Sequence, residues 1–370
     1  MKVGVVNGLR GYAILGVIYF HVLSQFTPSG FNKLEINQFV FFPFAFLSNG
    51  LLGVNLFFIL SGFVLYLPYL SGARKFDDWR DWVWFYKRRA LRLLPLYYFS
   101  VLVVVAFIDT VGDMKALLND LLLMATVTFN FTIDMWFPRF NGVLWSLGVE
   151  IWFSILFPVM VLSINRYGLF KIGSLIFITS LATRIFANQS EAFAVGENLH
   201  LNALKDSLLG RLDDFITGMI LAHVFIFQKK RIQNPTTLTA SLFFFGLLCL
   251  FVACSIWDAA LLGYLSLGWI PFTNNIVQIS AAFIIYALLF MPKNSLRFFF
   301  DNPAIQMLGM MCYSLYVWHT LVIGPVIQDQ YSIERLALYT VMVFLISAFS
   351  YRYIEFGHTR DVRQLFLPMR

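Results

Sequence analysis

The sequence predicts an all-α polytopic membrane protein: about ten transmembrane helices plus a cytoplasmic interfacial amphipathic helix, in a single domain over residues 1–370. Three observations carry this. Only 13% of residues are charged, where a soluble domain carries about 25%, and 59% are hydrophobic. Apolar runs recur at the length of about 20 residues that crosses a hydrocarbon core of about 30 Å. Basic residues gather on alternate connections, so the excess of 27 Lys and Arg over 20 Asp and Glu follows the positive-inside rule and points to membrane lipids rather than nucleic acid.

In chain order, the spans are expected at 7–26, 51–70, 95–112, 143–163, 169–187, 208–227, 238–256, 272–291, 304–327 and 335–354. With the N-terminus in the cytoplasm, that side receives Lys2, Arg10, the basic run from Arg74 to Arg92, Arg166, Lys171, the run Lys229 to Arg231, Lys293, Arg297 and the basic residues from Arg352 to Arg370. Both termini are therefore expected inside, in a cell membrane. The run after Arg10 has no small-residue cleavage site, so it is not read as a removable signal. The outer loop 27–50 ends in the Phe-rich FVFFPFAFL and is expected at the interface. Residues 71–94 mix Trp79, Trp82 and Trp84 with clustered bases and read as the interfacial helix. DLLLMATVTF, inside 113–142, is too short to span and reads as re-entrant or interfacial. Residues 355–370 form a basic cytoplasmic tail. Cys249, Cys254 and Cys312 lie in apolar runs, without a disulfide framework or metal-ligand spacing, and no metal is expected.

Four polar constellations sit at membrane depth, where an ionisable side chain calls for a use. The first is Arg10 with His21: eleven residues is three helical turns plus about 20°, so both face one way, roughly 16 Å apart along the axis. The bland alternative has Arg10 snorkelling to headgroups and His21 bonding a backbone carbonyl. In the second, GVNLFFILSGF, residues Gly53, Ser61 and Gly62 suit close helix packing. The third, YKRRALRLLP, presents Arg88, Arg89 and Arg92 beside Pro95. Guanidinium pairs suit phosphate recognition, and a lipid-binding flank is the alternative. The fourth, VLWSLGVEIWF, carries Trp145 and places Glu150 roughly 9 Å below the start of its span. His21, Glu150 and His319 of CYSLYVWH reach similar depths, so they could meet. Asp213 and Asp214 of GRLDDF lie near an outer helix end, where pairing with Arg211 or Arg184 serves equally well. His200, His223 and His358 read as structural or solvated.

Taken together, LRGYAILGVIYFH, GVNLFFILSGF, FYKRRALRLLPLYY, LWSLGVEIWF, GRLDDFITGM and YSLYVWH, in this order over nearly the whole chain, resemble the acyltransferase family 3 membrane proteins. These are bacterial inner-membrane enzymes that acylate sugars of envelope and extracellular carbohydrates. The family's arginine–histidine signature falls on Arg10 and His21, its arginine pair on Arg89 and Arg92, and its Trp-Ser-Leu-x-Val-Glu signature on Trp145 to Glu150. Asn55, Ile151 and Gly148 depart from frequent family residues. No SGNH hydrolase-like domain of the kind appended to some members is expected in the chain. The protein is therefore expected to finish transfer within the membrane domain or to hand the acyl group to a separate protein.

The resemblance implies a donor, acyl-CoA and most simply acetyl-CoA, whose phosphates dock on Arg89 and Arg92 with Arg88 or Arg10 at the inner face. His21 would be general base for a hydroxyl of a carbohydrate or glycolipid acceptor, with Glu150 orienting it or holding a sugar. Trp145, Asp213, Tyr316 and His319 are the expected substrate-binding residues. Transfer through an acyl-His21 intermediate stays open beside direct attack. A transporter is the competing reading from another class, because buried Arg, His and carboxylates suit it too. Against it stands the absence of an internal repeat or a matched pair of broken helices.

Overall fold

The computed structural model describes residues 4–26, 31–36, 39–107, 114–195, 198–228, 236–327 and 332–357. The expected positions of Lys2, of the Lys229 to Arg231 run, and of His358 and the tail beyond it lie outside these residues. The helices are α1 (Gly4–Leu23), α2 (Ala45–Ser48), α3 (Gly53–Leu70), α4 (Trp79–Phe107), α5 (Met114–Ala125), α6 (Leu144–Tyr167), α7 (Leu169–Gln189), α8 (Leu208–Gln228), α9 (Thr236–Leu261), α10 (Ile270–Phe290), α11 (Ser295–Asp301), α12 (Pro303–Met310), α13 (Cys312–Ile327) and α14 (Ile333–Ser350). A π turn, Tyr351–Glu355, ends α14. Two small antiparallel hairpins, β1 (Leu34–Ile36) with β2 (Phe39–Phe41) and β3 (Ala194–Val195) with β4 (Asn198–Asn202), decorate the loops.

Among the described residues, eight helices are long and apolar enough to cross a membrane, and α12 with α13 make a ninth span bent by 74°. The remaining expected span is α8, 21 residues long, which carries Arg211, Asp213 and Asp214 and packs between α3, α7 and α10. The protein is thus an all-α polytopic membrane protein. Burial sorts its helices: α1, α3, α6 and α10 bury 56% of their spans, whereas α7 and α14 bury 22%. The less buried helices turn residues such as Phe170, Ile178 and Leu345 outward, as a lipid-facing ring requires.

α3 and α8 meet at backbone distance. A Cβ at Gly62 would collide with the Phe215 carbonyl, and one at Gly218 with the Ile59 carbonyl. GVNLFFILSGF is therefore a packing motif at this point. Gly218→Val is expected to force the helices apart at a cost of about 1–3 kcal/mol or more. That should lower the thermal midpoint in detergent, and an unshifted midpoint would contradict the close approach.

Two elements differ from expectation. Residues 79–94 and the following span are one 29-residue helix, α4, rather than an interfacial helix and a separate span. At 1.5 Å per residue it is roughly 43 Å long, more than the hydrocarbon core needs. Proline ordinarily ends a helix, but tertiary bonds flank Pro95: Arg89 donates to Ser154 and Glu150, and the Tyr313 hydroxyl donates to the Leu93 carbonyl at 2.6 Å. The amphipathic character survives in the first turns, where Trp79 and Trp84 are exposed. The second difference is the break at Met311 inside the span expected at 304–327. Interrupted helices at membrane depth persist where the freed backbone is buried or lines a cavity, and Met311 is buried beside a cavity lined by Cys312 and Tyr313.

The Phe-rich loop is pinned to α9 by a buried carboxylate. Asp258 accepts from Asn32 (2.6 Å), Ser48 (2.8 Å) and Asn49 (2.9 Å). Outside the spans, Lys33 and the Tyr264 hydroxyl both bond Glu35 and hold its carboxyl below the usual range.

Candidate active site

The bundle encloses a cavity of about 200 Å³ between α1, α3, α4, α6 and α13. Arg10, Arg89, Arg92 and Cys312 line it toward one end, Ser146 and Tyr316 toward the other, and Glu150 and Ser61 its wall. A larger space of about 680 Å³ adjoins it, lined by Tyr69, Arg74, Trp84, Arg88 and Phe356. Val64, Leu65, Arg89 and Arg92 line both spaces, so the two adjoin at these residues, and the larger adds Arg74 and Arg88 to the basic lining.

The arginines are not equivalent. Arg89 donates to Glu150 (2.9 Å) and to the Ser154 hydroxyl (3.0 Å), and Ser61 donates to the same Glu150 oxygen (3.0 Å). Arg92 pairs with Glu355, a fully buried carboxylate of the π turn that also accepts from Ser314 at 2.7 Å. The pair on α4 therefore ties α6 on one side and α13 and α14 on the other, and each guanidinium faces a carboxylate. Arg10, Arg74 and Arg88 make no ion pair among the described residues; Arg74 and Arg88 instead lie over the Trp84 ring, 3.5 and 4.7 Å from its centroid.

At the other end two imidazoles meet. His319 Nδ1 lies 2.7 Å from the Tyr316 carbonyl, so it carries the proton and leaves Nε2 as an acceptor. That Nε2 faces His21 Nδ1 at 3.3 Å, and the same Nδ1 lies 2.9 Å from the Val17 carbonyl. With two acceptors around it, His21 Nδ1 must be the protonated nitrogen, so Nε2 carries the free lone pair. Ser146 donates to the Tyr316 hydroxyl at 2.7 Å, and that hydroxyl donates to the Val143 carbonyl at 3.0 Å. Tyr316 thus lines the cavity with its hydroxyl held in place and its ring 5.6 Å from that of His319, beside the histidine pair.

Other expected site residues take other places. Glu150 bonds Arg89 and Ser61 rather than His21; the group that holds His21 is His319. Asp213 forms a buried two-pronged ion pair with Arg184 (2.9 and 2.7 Å), the pairing alternative read from sequence, and also accepts from Asn275 at 3.5 Å. Asp214 accepts from Gln278 and Asn55, the latter standing where the family frequently has an acid. Trp145 is core, packed on Phe58, Trp136 and Phe137 rather than lining the cavity. Gly148, another departure, faces Asn130, which bonds the Trp145 carbonyl, so a side chain there would collide. Sequence reading missed Glu355, placed in the tail, though a carboxylate ending the last apolar run was its signal. Among the described residues no cluster of three metal-ligating side chains occurs.

The comparisons agree with this architecture. The family model described as "Acyltransferase domain" matches residues 4–352. The O-acetyltransferase OatA of Staphylococcus aureus strains NCTC 8325 and COL is 25% identical over 372 aligned positions, which cover 94% of this chain and 56% of the relative. The chain thus spans about half the length of the curated relatives it matches. No solved structure matches it. A family model that fits almost end to end, on a helical membrane bundle with polar residues around an internal cavity, settles kinship: the chain belongs to the acyltransferase family, whose members transfer acyl groups.

Proposed function

We propose that the protein transfers an acyl group, acetyl in the simplest case, from cytosolic acyl-CoA to a hydroxyl of an envelope or extracellular carbohydrate or glycolipid. The observation that supports the reading is a pair of adjoining, basic-lined spaces whose lining residue Tyr316 packs beside the His21–His319 pair, with His21 Nε2 free. The distribution of basic residues orients the larger space, as the mouth, toward the cytoplasm, in a cell membrane with both termini inside. The thioester arm of the donor enters between the Arg89–Glu150 and Arg92–Glu355 pairs.

The acceptor hydroxyl gives its proton to His21 Nε2 as its oxygen bonds the thioester carbonyl carbon. The carbon–sulfur bond then breaks, and the departing thiolate takes the proton from His21, so that ester and thiol leave and the base is regenerated. His319 keeps the reacting nitrogen in the required tautomer, the role a second residue plays when it bonds the far nitrogen of a catalytic imidazole. Acyl transfer to His21 first is the variant of the same chemistry. Kinship with acyltransferases leaves the transporter reading without support. Purified protein in lipid nanodiscs should release free thiol from acetyl-CoA when an acceptor carbohydrate is supplied. Absence of both acetyl-CoA binding and thiol release would overturn the proposal.

A further inference from the structure

Resting on the acyl-CoA reading, we propose that the phosphates of the donor are gripped by a clamp of Arg74 and Arg88 on Trp84, with Arg89 and Arg92 framing the junction of the two spaces rather than binding the anion. Arg89 and Arg92 each face a carboxylate, Glu150 and Glu355, so a phosphate entering there would have to displace a buried or half-buried negative charge. Arg74 and Arg88 carry no such partner among the described residues, although acids stand close in sequence. Those acids are engaged elsewhere. Asp78 accepts from the backbone N–H of Arg80 and Asp81, Asp81 accepts from the N–H of Asp77 and Asp78, and Asp77 lies 3.9 Å from Lys75.

Trp84 explains how two like charges come to share one place. Both guanidinium carbons lie within 5 Å of its ring centroid, Arg74 at 3.5 Å and Arg88 at 4.7 Å. The electron-rich ring face attracts each cation. Stacking occupies the flat face of a guanidinium and leaves its in-plane N–H donors free, and those are the donors that match a phosphate bidentately. The two side chains come from different segments, Arg74 from the loop after α3 and Arg88 from α4, and both line the space of about 680 Å³ at the mouth. That volume lies in the range of sites that hold cofactor-sized molecules. Coenzyme A brings a diphosphate and a ribose phosphate to such a mouth. An anionic lipid headgroup offers the same phosphate chemistry and is the other source to distinguish.

The test uses full-length protein in nanodiscs of neutral phosphatidylcholine, with coenzyme A as probe and phosphatidylglycerol added in a second arm. The double variant Arg74→Gln/Arg88→Gln should weaken coenzyme A binding by roughly 100-fold or more, since each of the two lost charge-assisted contacts is worth about tenfold or more. Both side chains are exposed, so folding should be unaffected; Trp84→Leu, which keeps both charges but removes their platform, should give a smaller loss and serves as the second variant. Lys87→Gln, exposed on the same helix and outside the cavity lining, should leave affinity unchanged. Wild-type binding of coenzyme A with no loss in the double variant would overturn the clamp and leave the donor reading standing. The same null result together with loss of phosphatidylglycerol retention would assign the clamp to lipid and likewise overturn it. Failure of the wild type itself to bind coenzyme A would overturn the donor reading.

Discussion

His21→Ala is expected to lower acyl transfer by about 10²–10⁴-fold or more, the contribution of a positioned general base, while the protein still inserts and runs as wild type on size exclusion. The structure separates these outcomes. His21 sits near the end of α1 and its ring bonds only the Val17 carbonyl of its own helix and His319, so its removal frees one acceptor nitrogen and leaves the helix contacts of Ile14, Val17 and Ile18 untouched. Removal of the free Nε2, in contrast, leaves the acceptor hydroxyl without a proton acceptor. Initial rates of thiol release on protein of wild-type thermal midpoint decide it. Turnover close to wild type would return His21 to a packing role.

Arg92→Ala should act on assembly before it acts on chemistry. Glu355 is fully buried, and without Arg92 it keeps only the Ser314 hydroxyl. Stripping one partner from a buried pair costs about 3–5 kcal/mol because the other charge is stranded. The expected result is a marked fall in thermal midpoint and in detergent-stable yield. Glu355→Gln in the same chain removes the stranded charge, keeps an acceptor for Ser314, and should restore most of the loss, so the two substitutions are strongly non-additive. Arg92→Ala protein with a wild-type midpoint and greatly weakened donor binding would instead make Arg92 a direct phosphate ligand.

Much of this was legible in depth along the membrane and little of it in azimuth. The eleven-residue spacing that puts Arg10 and His21 on one stripe depends only on helical periodicity. It places Arg10 on the cavity and His21 against His319. The common depth of His21 and His319 likewise follows from counting residues inward from each span's end. Glu150 lay within the same range of depth, yet its partner is Arg89, because which side of α6 faces which neighbour is fixed by packing between helices distant in sequence. The Arg92–Glu355 pair joins α4 to the end of the last helix, a non-local contact that no spacing encodes. The run through Pro95 and the break at Met311 went the other way from local propensity, since side-chain bonds around α4 and the cavity beside α13 outweigh it.

The pairing of charges along the bundle bears on how the protein responds to voltage. Moving one elementary charge across the membrane costs about 2.3 kcal/mol per 100 mV. Arg89 with Glu150, Arg92 with Glu355 and Arg184 with Asp213 are each close to electrically neutral units within the bundle. In the proposed reaction the acyl group crosses as part of an uncharged arm, while the anionic end of the donor stays at the mouth, outside most of the field. Acyl delivery to the far side then performs almost no electrical work. Collapsing the membrane potential with an ionophore should accordingly leave turnover in sealed vesicles nearly unchanged, a behaviour that would set this protein apart from carriers that move an acetate anion through the same thickness.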